Sequence, residues 1–143
     1  MRTASTIVAC ASLMFVAAAS GADKPYGDLP PNCGVDSGTC AVTVIVPGAC
    51  GSGIYAFPDP IVVAAGKSVD IEWQVKGDWD FDGNDAIKIY QASGTTFTAK
   101  QNGGKTFKLK HTNSKPATYK YDINLIGSKT KEKCRIDPTI VNW

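Results

Sequence analysis

VDIEWQVKGDWDFDGNDAIKIY, residues Val69–Tyr90, places two apolar alternations on either side of an acidic cluster. Val69, Ile71 and Trp73 interleave with Asp70, Glu72 and Gln74, so an extended chain here has one apolar face and one wet face. Ile87 and Ile89 resume the alternation. Between them Asp78, Asp80, Asp82 and Asp85 crowd together beyond what a turn needs. The segment reads as strand, acidic turn, strand.

The same pattern extends outward. Ala41–Val46 is a β-branched run ended by Pro47-Gly48, and Ala49–Pro60 reads as a loop punctuated by Gly51, Gly53, Pro58 and Pro60. Ile61–Val63 begins a short strand broken at Gly66. Downstream, Thr95–Ala99 and Lys105–Lys110 flank Asn102-Gly103-Gly104, a hairpin signal. In the second of these strands Phe107 and Leu109 face in, and Lys108 and Lys110 face out. Tyr119, Tyr121, Ile123 and Leu125 mark the inward side of the longest late strand. Ile136–Val141 is a last strand interrupted at Pro138, which suits an edge or a bulge. No helical periodicity is visible after residue 22. About seven to nine short strands at spacings of roughly 8–15 residues predict an all-β fold, an antiparallel Greek-key sandwich.

Residues 1–22 read as a secretory signal peptide: Arg2 supplies the positive start, and Ile7–Ala19 is apolar but shorter than the roughly 20 residues of a membrane span. Cleavage is placed after Ala22, with Ala19 as the competing position. The domain plan is then an irregular arm over 23–40 and one sandwich over 41–143, with no membrane span in the mature chain. Export implies a secreted or periplasmic protein whose four remaining cysteines, Cys33, Cys40, Cys50 and Cys134, form two disulfides. Three pairings are possible, and Cys33–Cys40 with Cys50–Cys134 is favoured because the second would tie the start of the domain to its end. Lysines beside Cys134 would make a free thiol there reactive, a redox alternative that the export signal opposes.

Charge is balanced overall but uneven along the chain. Residues 23–99 carry 4 basic and 10 acidic side chains, whereas residues 100–143 carry 10 basic and 3 acidic. Either the halves neutralise each other across the sandwich, or the protein has a basic face. Nucleic acid is not an expected partner for an exported chain with net charge near zero.

The run Phe57–Pro60 followed by Gly66, Val69 and Trp73 resembles the early strand pair of cupredoxins, and Tyr119, Tyr121 and Ile123 resemble their strand leading to the copper loop. The ending, from YKYDINLIG to Asp137–Asn142, is similar to that of a group of small secreted bacterial proteins that are cupredoxin-like in fold and have no assigned activity. The resemblance implies a cupredoxin/immunoglobulin-like sandwich. It does not bring copper with it. A blue-copper site needs two histidines, a thiolate and a weak axial ligand. The family's cysteine would fall at Ile123, its next histidine near Ile126 and its first histidine in the Gly83–Ala86 region. His111 is the only histidine, and both methionines lie within residues 1–22.

Three groups of residues are candidates for function. Asp78, Asp80, Asp82 and Asp85 with Gly83 match the opening of an oxygen-rich calcium loop, although the twelfth position is Ile89 instead of a bidentate glutamate. The competing reading is a solvated turn with Trp79 and Phe81 turned to the core. Tyr55 and Trp143, in loop and terminal contexts, are the aromatic candidates for a binding surface. Lys105, Lys108, Lys110, Lys115 and Lys120 could meet a negatively charged partner or could simply protect a sheet edge. No nucleophile is paired with His111, so no enzyme activity is expected. The sequence predicts a binding module without a cofactor, acting on a protein partner as an inhibitor, an immunity-type protein or an accessory. The alternative is a calcium-stabilised adhesion or carbohydrate-binding module.

Overall fold

The computed structural model describes residues 29–92 and 96–142. The expected signal peptide, the start of the arm, the first residue of the expected strand at Thr95, and Trp143 lie outside the described residues. Two sheets face each other, and the described residues are all-β apart from one 3-10 turn, Cys50–Ser52. The strands are β1 (Thr39–Ile45), β2 (Tyr55–Phe57), β3 (Ile61–Val63), β4 (Ser68–Val75), β5 (Trp79–Phe81), β6 (Ile87–Ile89), β7 (Phe97–Asn102), β8 (Thr106–Thr112), β9 (Ala117–Gly127), β10 (Lys133–Ile136) and β11 (Thr139–Asn142).

The first sheet has the order β2-β1-β4-β8-β7. In β4 the expected alternation is complete, with Val69, Ile71, Trp73 and Val75 buried and Ser68, Asp70 and Gln74 exposed. Its neighbour β8 matches it residue for residue, Trp73 opposite Phe107 and Ile71 opposite Leu109. The second sheet is built on β9. Its residues 117–120 pair with β11 and its residues 123–126 with β10 along one edge, while β5 and β6 share the other. β3 completes the sheet beside β11. The break between β10 and β11 falls at Asp137-Pro138, because proline has no N–H for the ladder. The Pro138 carbonyl still accepts from the Tyr121 amide at 3.1 Å.

Two pairings correct the expected antiparallel arrangement. β1 runs parallel to β4, and β3 runs parallel to β11. After the β1–β2 hairpin the chain crosses to the other sheet as β3 and returns as β4 beside β1, entering from the same end. Three short strands were also not expected. β2 lies inside the Gly- and Pro-rich stretch read as a loop, β5 lies inside the acidic turn, and β10 begins before the expected final strand.

The core is aromatic at its centre. Trp73 meets Phe107 edge-on at 6.4 Å and Tyr121 at 5.7 Å between ring centroids, and Phe81 tilts against Phe107 at 5.8 Å. The Trp73 indole N–H donates to the Tyr121 hydroxyl at 3.3 Å, so the polar ends of two fully buried rings satisfy each other. Burial pushes the Tyr121 phenol far above its ordinary value. Cys33 is bonded to Cys40 and Cys50 to Cys134, both of the favoured pairings. The second bridge spans 84 residues and removes about 4–5 kcal/mol of chain entropy from the unfolded state in the loop-closure model.

Candidate functional site

The acidic segment is bound up with the β7–β8 hairpin. Lys105 follows the hairpin turn, and its ammonium donates to the carbonyls of Gly77 at 2.8 Å and Trp79 at 2.5 Å. It also lies 3.2 Å from the Asp80 carboxylate. The Asn102 side-chain amide donates to the carbonyls of Phe81 and Gly83 at 3.3 and 2.6 Å, while its own oxygen accepts from the Gly104 amide. The Ser128 hydroxyl donates to Asp80 at 2.6 Å. This bond, joined by the Lys105 charge and opposed by partial burial, holds the Asp80 carboxyl below its usual range.

The four aspartates do not form one ligand set. Asp78 pairs with Lys129 at 3.0 Å, Asp80 with Lys105, Asp82 with Lys133 at 2.9 Å and Asp85 with Lys100 at 3.8 Å. The neighbouring carbonyls of Gly77 and Trp79 accept from Lys105, and those of Phe81 and Gly83 from Asn102. The arrangement does not fit a calcium ion: each aspartate faces a lysine, and the Lys105 ammonium lies among the oxygens of Gly77, Trp79 and Asp80. Among the described residues the one group of three ligand-type side chains within mutual reach is Cys50, Glu132 and Cys134, and both cysteines are in a disulfide.

These contacts also account for the uneven charge. Of the six ion pairs among the described residues, five join an acid from the first part of the chain to a base from the last, and the sixth joins Arg135 to Asp122. The lysines do not form one stripe. Lys105 serves the acidic loop, Lys108 pairs with Glu72 at 2.8 Å, and Lys120 belongs to the other sheet. Lys110 is exposed on the outer face of the first sheet, opposite Asp70.

Two buried polar clusters have structural partners. The ring nitrogens of His111 face the Asn142 side-chain oxygen at 2.7 Å and the Thr96 carbonyl at 3.3 Å, and its ring stacks on Phe97 at 4.3 Å. Burial lowers its pKa, partly opposed by these two bonds. Asp122 is buried on the outer face of the second sheet and accepts the Tyr90 hydroxyl proton in a hydrogen bond, which raises the Tyr90 phenol.

Tyr55 lies on a surface that is larger than the sequence suggested. β2 is an edge strand, and its outward residues Tyr55 and Phe57 are 50% and 58% exposed. Tyr55 stands opposite Ile45, itself 39% exposed, and Phe57 stands opposite Thr43. Gly53 sets up this strand: its φ is +95°, and a β-carbon there would come within 3.2 Å of the Tyr55 hydroxyl. Beside β2 an open groove of about 420 Å³ runs to the Ile136–Pro138 corner of the second sheet. Beyond the β1 ladder, no backbone hydrogen bond joins Tyr55, Ala56 or Phe57 to another described residue.

Three other sheet edges are blunted. β7 is bulged, with Ala99 at a φ of +54°, and carries Lys100. β3 is bridged by Cys33 of the arm and bonded by Asn32 on both the amide and carbonyl of Val62. The β5 and β6 edge is short and interrupted. Sequence reasoning found Tyr55 but missed Ile45 and Phe57. The Tyr55-Ala56-Phe57 alternation was the available signal, masked by the flanking prolines and glycines.

No protein-family model matches this chain, and no curated protein matches it either.

Proposed function

We propose that the protein is a secreted or periplasmic, non-enzymatic binding module that acts by contact with a protein partner, and that β2 is its contact edge. It would serve as an inhibitor, an immunity-type protein or an accessory of another exported protein. The observation that carries this reading is the exposed, uncharged edge strand β2, whose outward Tyr55 and Phe57 lie beside Ile45 of β1, in a molecule whose β7, β3 and β5–β6 edges are blunted. Exposed edges with apolar side chains are liabilities unless something covers them. Two disulfides suit an oxidising compartment, and among the described residues no helix is long and apolar enough to cross a membrane.

The reading as a non-enzyme draws on the polar groups. His111, Asp122, Tyr90 and Asp80 are each engaged by a neighbour in the fold. A calcium-stabilised adhesion or carbohydrate-binding module would use Asp78, Asp80, Asp82 and Asp85, and no geometry favours it over the lysine pairing.

The test is capture from a periplasmic extract by the native protein and by a Tyr55→Ser/Phe57→Ser variant shown to melt normally. A protein held by the native form and lost by the variant supports the reading. Retention of only a soluble glycan or small molecule, or a protein held equally by both forms, rejects it.

A further inference from the structure

The groove beside β2 has an acidic rim, and we propose that it receives an extended segment of a protein partner in which lysine or arginine flanks an apolar side chain. This rests on β2 being the contact edge. Asp59 and Asp137 both line the groove and both are exposed. Neither takes part in an ion pair among the described residues, in a molecule where six other carboxylates do. No basic residue lines the groove to neutralise them. Asp59 is held in place, because one carboxylate oxygen accepts the Thr139 amide at 3.1 Å.

The floor is apolar where the partner's middle residue would sit, with Ile136 and Pro138 on one side and Ala56 on the other. A strand added beside β2 takes its backbone bonds from the open edge, and alternate side chains choose the sequence. One set lies along Tyr55 and Phe57 on the outer face, and the other enters the groove between the acids. A second copy of this chain fits less well, because its own β2 carries no basic side chain to meet Asp59 and Asp137.

Titration calorimetry on the mature protein tests this with two acetylated and amidated hexapeptides, Lys-Thr-Val-Thr-Lys-Thr and Glu-Thr-Val-Thr-Glu-Thr, whose alternate residues put the two charges and the valine on one face. The expected result is binding of the lysine peptide about tenfold or more tighter than the glutamate peptide, weakened by added salt. Asp59→Asn with Asp137→Asn should remove most of that preference, since asparagine keeps the acceptor for Thr139. Asp70→Asn, at an exposed carboxylate on the outer sheet face, should leave it unchanged. Equal binding of both peptides that is lost in Phe57→Ser would overturn the basic partner and leave the edge as contact surface. An equal loss in Asp70→Asn, a concentration-dependent dimer that competes with the peptide, or no binding of either peptide would overturn the inference. Whether β2 is a contact edge at all is judged separately by the capture experiment.

Discussion

Replacing Lys105 by methionine keeps most of the side-chain stem and removes the charge. The native ammonium donates to two backbone carbonyls and approaches one carboxylate. A hydrogen bond to a charged group is worth about 1.5–3 kcal/mol when buried. The Lys105 side chain is 48% exposed, so water replaces part of what is lost. Trp79, whose carbonyl is one acceptor, is buried and gains least from water. The net cost should be about 1–2 kcal/mol, or roughly 4–8 °C in Tm for a domain of this size. Far-UV circular dichroism melts with calcium and with chelator measure it. The native protein should melt at the same temperature in both, because each aspartate of the loop is already paired with a lysine. A calcium site at a hundred times its Kd would instead add about 2.7 kcal/mol. A Lys105→Met variant that melts like the native protein, together with a native Tm that rises by several degrees on adding calcium, would refute the reasoning.

Phe107→Ala should cost about 3–5 kcal/mol in urea unfolding, because the ring is fully buried between Trp73 and Phe81; Lys110→Ala should change stability by less than about 0.5 kcal/mol. Thiol titration of the denatured, unreduced mature protein should find no free thiol. Removing the Cys50–Cys134 bridge by a double serine substitution should lower stability by about 2–5 kcal/mol. Acidification should destabilise the protein through His111. Its folded pKa is lowered, so the unfolded chain binds the extra proton, and this contribution is complete above the unfolded value near 6.5 and lost as pH falls below it. A His111→Gln variant whose stability falls by the same amount between pH 7 and 5 would contradict that assignment.

The strands that alternate cleanly over five or more residues were legible in the sequence. β4, β8 and β9 follow their apolar pattern because half-buried strands force a period of two. β2 and β5 were not, since three residues carry little pattern and their Gly, Pro and Asp surroundings look like turns. The parallel pairings of β1 with β4 and β3 with β11 were invisible for another reason. Alternation reports which face is buried and says nothing about which way the neighbour runs. The charge imbalance was visible as a number, but the lysine that each aspartate meets is a product of the fold. Asp80 finds Lys105 only because the hairpin turn at Asn102–Lys105 lies against the loop. The candidate edge was legible in part: Tyr55 stood out, whereas Phe57 and Ile45 acquire meaning from the edge position of β2.

The central claim is that partners meet this protein along β2. Site-specific photocrosslinking in an exporting cell tests it most directly, with a photoreactive phenylalanine analogue placed in turn at Phe57 and at Lys110. The two positions lie on the outer face of one sheet, at its β2 edge and on β8. The account predicts a discrete protein adduct from position 57, suppressed by the competing lysine hexapeptide, and none from position 110. An adduct from position 110 alone, or equal adducts from both that the peptide does not suppress, would contradict it.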